Sequence, residues 1–328
     1  MNRVVGAAAL AWIAAVGVAI GQSRYAGTLD QHPAIDYRGA ALSDAVTLLA
    51  RDIKDGKTSL AFDGQQGFLR SLLERLNVPV ESQLLEFSKT GLQPGILVRS
   101  MFAAGDGRAM PQLGSFVIDH RSPLEQRWGG WYVTGTHGAA RHMGNAFVLD
   151  SSRPESAITD ATLNRSTLDS GIDAAAYPTA SSDIAALLVF DHQGRAINLL
   201  TRLGWETRIA AAEERLDFAK GDLRAVLEET VDYLLFVDEV TLAAPVRGVS
   251  AFSKTFAMAG PRDRAGRSLR ELDLRSRLFK YRCSYMIYSP AFDALPLEAR
   301  AAVFSRIHAR LTDRDTMAIL DDTKAGWR

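Results

Sequence analysis

The feature that most constrains this chain is a long stretch with almost no periodicity. Residues 105–182 are rich in Gly, Pro, Ser, Asp and Asn, and few runs in them carry the repeat of a helix or a strand. A stretch this long without regular structure is uncommon in a compact domain unless it wraps another element or carries a function. Inside it, Trp128 to Asn145 reads WGGWYVTGTHGAARHMGN, with two histidines, a methionine, two tryptophans and five glycines in eighteen residues. Glycine lets the backbone come close to a neighbour, and histidine and methionine are ligands of haem iron and copper. A short strand is expected at Trp131 to Thr134.

From Ser182 the pattern changes. SDIAALLVFDHQGRAINLLTRLGWETRIAAAEERLDFA reads as one long amphipathic helix or two in line, with Leu188, His192, Leu199 and Leu203 near one face and Gly194 and Gly204 as bends. Gly221-Asp222 opens a second helix that runs toward Ala244-Pro245, and the two should pack as an antiparallel pair. Pro296 to Leu311 gives a third helix and Asp313 to Thr323 a fourth. Upstream, Leu42 to Lys54 and Gly67 to Leu76 carry the same spacing. The expected fold is mainly α, with long irregular loops and a minor β element: a loop-rich region over 22–180 and a helical region over 181–328.

The chain opens with MNR, an uncharged apolar run and Ala19-Ile20-Gly21, the pattern of a secretory signal peptide over residues 1–21. An uncleaved anchor is the alternative, because the run is near the lower length limit for a spanning helix. Cleavage would leave a protein with no membrane span outside the cytoplasm, in the periplasm of a Gram-negative host. Lys+Arg and Asp+Glu both number 38, so the net charge is zero, which argues against a nucleic-acid partner. The single cysteine, Cys283, rules out an internal disulfide, a CxxC site and a CxxCH haem attachment. Its neighbours, YRCSYMIYS, read as a buried aromatic segment.

The candidate chemistry sits on imidazoles. His137 and His142 lie five apart, which suits two ligands on a loop better than two on a helix. Met143 adds a thioether. Read on spacing alone, an isolated pair of this kind falls first to imidazoles hydrogen-bonded to backbone. His192 lies on the apolar stripe of the long helix, where a buried ring needs a partner. It is read first as a satisfied core histidine. Asp119-His120, with Arg121 and Pro123 behind it, reads as a turn. The motifs GxSxG, GxxxxGK[ST] and HExxH are absent from the sequence.

The segments SQLLEFSKTGLQ, PGILVRS, DHRSPLEQRWGGWYVTGTHGAARHMGN, VDYLLFVDEVTLAAPVRGVSAF and LDLRSRLFKYRCSYMIYSPAFDALP resemble a mostly uncharacterised family of exported bacterial proteins related to c-type cytochromes. The resemblance covers nearly all of the chain after the signal. That family carries CxxCH shortly before its PG-[IL]-LVRS segment, whereas here Leu92-Gln93 runs straight into Pro94-Gly95. The resemblance therefore implies an ancestral role in haem-based electron transfer, with the covalent attachment lost. It leaves His137, His142, Met143 and His192 as pocket residues, and His137, His142 and His192 as candidate metal ligands. Three outcomes follow: haem held without covalent bonds, another metal on the histidines, or an empty pocket. The partner would be a periplasmic redox protein. A redox-silent envelope protein that binds a partner, and a metal-dependent enzyme built on the three histidines, are the alternatives.

Overall fold

Asp183 starts the helix around which the molecule is organised. Its carboxylate accepts from the Ala185 amide at 2.8 Å as an N-cap, and from the Ser250 amide and hydroxyl at 2.8 and 2.7 Å. An N-cap oxygen satisfies one of the orphan donors of the first turn. Here the same carboxylate also ties a distant loop to the helix start. The computed structural model describes residues 98–168 and 179–327, together with the backbone of two strand pieces, Glu86–Phe87 and Pro94–Gly95. The apolar N-terminal run, the helices expected at Leu42–Lys54 and Gly67–Leu76, and the Gln93-Pro94 junction as a whole lie outside the described residues.

The described chain is mainly α, as expected. Helix α1 spans Ile184–Ala212, α2 Gly221–Leu234, α3 Phe252–Met258, α4 Pro290–Asp293, α5 Leu297–Arg310 and α6 Arg314–Thr323. Helix α1 runs unbroken through Gly194 and Gly204, so neither glycine ends it and the segment is one helix. Burial explains this: nearly every residue from Ile184 to Leu200 is buried, and packing outweighs the cost of about 1 kcal/mol per glycine. Helix α2 stops at Leu234, well before Ala244-Pro245, because the chain turns through left-handed backbone at Phe236 and Asp238. The two helices are antiparallel: His192 meets Tyr233, while Arg195, one turn further along α1, meets Glu229, one turn back on α2.

The β structure is minor and lies elsewhere than expected. Besides β1 (Glu86–Phe87) paired with β2 (Pro94–Gly95), β3 (Arg99–Met101) runs antiparallel to β5 (Ser115–Val117). Strand β4 (Ala103–Ala104) runs parallel to β6 (Phe147–Val148). Trp131–Thr134 is not a strand and contributes one isolated bridge, Thr134 to Asp183. The reason is local. The side chain of Asn145 takes both backbone groups of Val133, accepting from its N–H at 2.8 Å and donating to its carbonyl at 2.9 Å. A side-chain amide thus stands where a partner strand would.

The aperiodic stretch does wrap something, namely α1. Val98, Ile118, Trp128, Trp131 and Val133 share one hydrophobic core with the buried faces of α1, α2 and α5. A smaller cluster of Phe102, Met143, Ala146, Val148 and Ile158 sits beneath the loop. Side chains from both sides of residue 180 thus share that core. Among the described residues no helix is long and apolar enough to cross a membrane.

Candidate functional site

The loop from Trp128 to Asn145 is pinned at both ends. Trp128 and Asn145 hold positive φ, 64° and 63°, a conformation costly for a bulky side chain. Trp128 keeps it because its ring is fully buried and its indole N–H donates to Asp191 Oδ2 at 2.9 Å. Arg127, also buried, lies against the same carboxylate oxygen at 3.5 Å and donates to the Ser122 carbonyl. Gly129 is needed for close approach, since a Cβ there would lie 2.5 Å from the Met101 carbonyl oxygen.

This frame brings His137 and His142 together. Both are buried, their ring centroids lie 4.7 Å apart at a 56° tilt, and Trp128 presents an edge contact to His142 at 5.4 Å. The Gly144 amide donates to His142 Nδ1 at 3.0 Å, which leaves the proton of the neutral ring on Nε2. That Nε2 and both ring nitrogens of His137 are buried without a hydrogen-bond partner of ordinary geometry. Burial holds His142 down to about 3, helped by the neighbouring His137 and opposed by the Gly144 contact. Burial lowers His137 too, against weaker backbone interactions at its own residue and Ala140. Buried polar atoms are nearly always paired, so three such nitrogens on two touching rings stand out among the described residues.

The other two candidates point elsewhere. Met143 turns into the smaller core cluster, where its Sδ accepts from Ser100 Oγ at 3.6 Å. His192 is not beside His137 and His142. Its Nδ1 is 2.7 Å from Nδ1 of His120, its Nε2 is 2.6 Å from Ser284 Oγ, and its ring stacks on Tyr233 at 5.1 Å with only 2° between the planes. Desolvation holds His192 down to about 3, offset in part by Asp119. It holds His120 well below the ordinary histidine value, with the His192 charge next in weight. His120 does sit at a turn, closed by the Ser122 amide on the Asp119 carbonyl. Its pairing with His192 joins residues 72 apart, for which the sequence offers no local sign. Among the described residues no group of three or more His, Cys, Asp or Glu side chains is arranged to hold a metal.

A c-type haem does not fit the described residues. Cys283 is fully buried, its thiol pushed up to about 12 by desolvation, and no second cysteine exists in the chain. Nor does a porphyrin fit between His137 and His142. Inserting a flat ring between two others needs roughly 7 Å, twice a carbon–carbon contact distance of about 3.5 Å, and the centroids are 4.7 Å apart. The cleft at the loop, between Gly130, Trp131, Asn145 and Phe147, has about 10 Å³, room for one water. Comparison with protein-family models, with curated proteins and with solved structures finds no match for this chain.

Proposed function

We propose that this chain is an exported, cytochrome-related protein that has lost covalent haem attachment and keeps a two-imidazole site for a transition-metal ion at His137 and His142. One observation carries the reading: three buried imidazole nitrogens without a hydrogen-bond partner of ordinary geometry, on rings in contact. Imidazole suits copper, zinc, iron and nickel, and a copper ion at such a site would supply one-electron exchange, the activity that the ancestry implies. The residues contribute the rest. His137 offers either nitrogen. His142 offers Nε2 once its proton moves to Nδ1, which breaks the contact with the Gly144 amide. That contact is worth about 1 kcal/mol, the cost that metal binding at His142 has to exceed. Burial of both rings excludes competing water.

The test is a titration of the full chain with copper(I) against a coloured chelator, with zinc(II) and haemin in parallel arms. The reading expects one equivalent of copper or zinc, lost in His137→Ala and in His142→Ala, and no Soret band from haemin. No metal uptake in the native chain would overturn it. The closed packing of the loop would then favour a redox-silent envelope protein.

A further inference from the structure

A separate cavity of about 230 Å³ opens on the other side of the His120 turn, lined by Val98, Val117, Ile118, Asp119, Arg121, Arg195 and Asn198. On the measure by which 10 Å³ just admits one water, it is more than twenty times larger, enough for a small organic molecule. Its walls differ in kind. Val98, Val117 and Ile118 form an apolar side, with Val117 exposed at the rim. Arg195 and Asn198 come from successive turns of α1, and Arg121 from the turn.

The two guanidiniums are held and incompletely used. Arg121 donates through Nε and Nη2 to Asp119, at 3.2 and 2.6 Å to its nearer oxygens. This bidentate grip fixes the plane of the fork. Arg195 Nη2 donates to Glu229, and its Nε is buried without a partner. Glu229 is shared with Arg202 at 3.4 Å. The local count is three guanidiniums (Arg121, Arg195, Arg202) against two carboxylates (Asp119, Glu229), which leaves one positive charge beside a half-apolar cavity. His120 adds none, because burial keeps its ring neutral.

We infer that this cavity is a binding site for a small monocarboxylate with an apolar body, its carboxylate held by Arg195 and Arg121 and its hydrocarbon laid on Val98, Val117 and Ile118. One negative charge balances the count, which favours a monocarboxylate over an anion of higher charge, and a planar carboxylate fits the guanidinium fork. The site is independent of the metal reading, since none of its residues touches His137 or His142.

Calorimetric titration of the full chain with isobutyrate tests it, with isobutanol, isobutylamine and sodium sulfate as controls. Isobutyrate should bind with one equivalent, and the alcohol and amine should give no saturable heat. Arg195→Gln and Arg121→Gln should each weaken binding about tenfold or more, the cost of a charged hydrogen bond. Val117→Glu changes only an exposed rim residue, so the fold survives it. It should weaken isobutyrate binding more than Val117→Gln, which loses the same apolar contact without adding a negative charge. The inference fails if isobutyrate gives no more heat than isobutanol, if sulfate competes as tightly as isobutyrate, or if the arginine variants and Val117→Glu bind like the native chain.

Discussion

Asn145 shows how much one side chain can decide. It accepts from the Val133 amide and donates to the carbonyls of Val133 and Thr162, the latter at 2.9 Å, while its own backbone sits at positive φ, which asparagine tolerates better than most residues. Asn145→Ala leaves buried backbone groups of Val133 unpaired. Each orphaned group costs about 1–3 kcal/mol, so the variant should lose on the order of 3 kcal/mol of stability in urea denaturation and loosen the loop that holds His137 and His142. Asn145→Asp keeps the acceptor but loses the donor, and should fall between. An unchanged midpoint in Asn145→Ala would mean that the loop is held by other means. The composition of this loop was legible in the sequence, and its glycines do mark close approaches. The direction of Met143 was not, since adjacent side chains diverge and nothing local says which of the two turns toward His137.

Among the helices, legibility followed the caps. Helices α5 and α6 were placed to within a residue at each end because Pro296 and Asp313 announce their starts, Asp313 accepting from the Thr316 amide at 3.1 Å. The end of α2 was misjudged because apolar spacing continues past Leu234 while the backbone turns left-handed. The knot at the start of α1 was also hidden, since Ser250 lies 67 residues from Asp183. Asp183→Ala removes an N-cap, worth about 1 kcal/mol, and two further bonds in a fully buried site. A loss of about 3 kcal/mol is expected, with hydrogen exchange rising together in the first turn of α1 and at Ser250. Exchange rising only in the first turn would show that the loop is anchored elsewhere.

Across the whole molecule, the buried histidines predict an acid limit. His192 ionises near 6.5 in the unfolded chain and is held at about 3 when folded. The unfolded state therefore binds more protons over that interval. The stability gained by keeping the ring neutral is fully present above about pH 6.5 and is lost as pH falls toward 3, by up to about 1.4 kcal/mol per pH unit. His120 acts in the same direction. Urea midpoints should be flat from pH 7 to 8 and fall steeply below about pH 6.5, and His192→Gln should flatten the slope even though it lowers the plateau. A midpoint that does not change with pH would contradict the neutral pair. The Trp327 ring, buried against Phe304 and stacked on His308 at 3.8 Å, closes the far end of the core.

The metal reading is tested most directly by following the imidazole nitrogens themselves. A two-dimensional proton–nitrogen NMR spectrum of the histidine rings, recorded before and after one equivalent of copper(I), reads each ring separately. The account predicts that the His137 and His142 ring nitrogens move, with the His142 proton appearing on Nδ1, while His120 and His192 stay in place. Rings that do not move, or movement confined to His120 and His192, would contradict it.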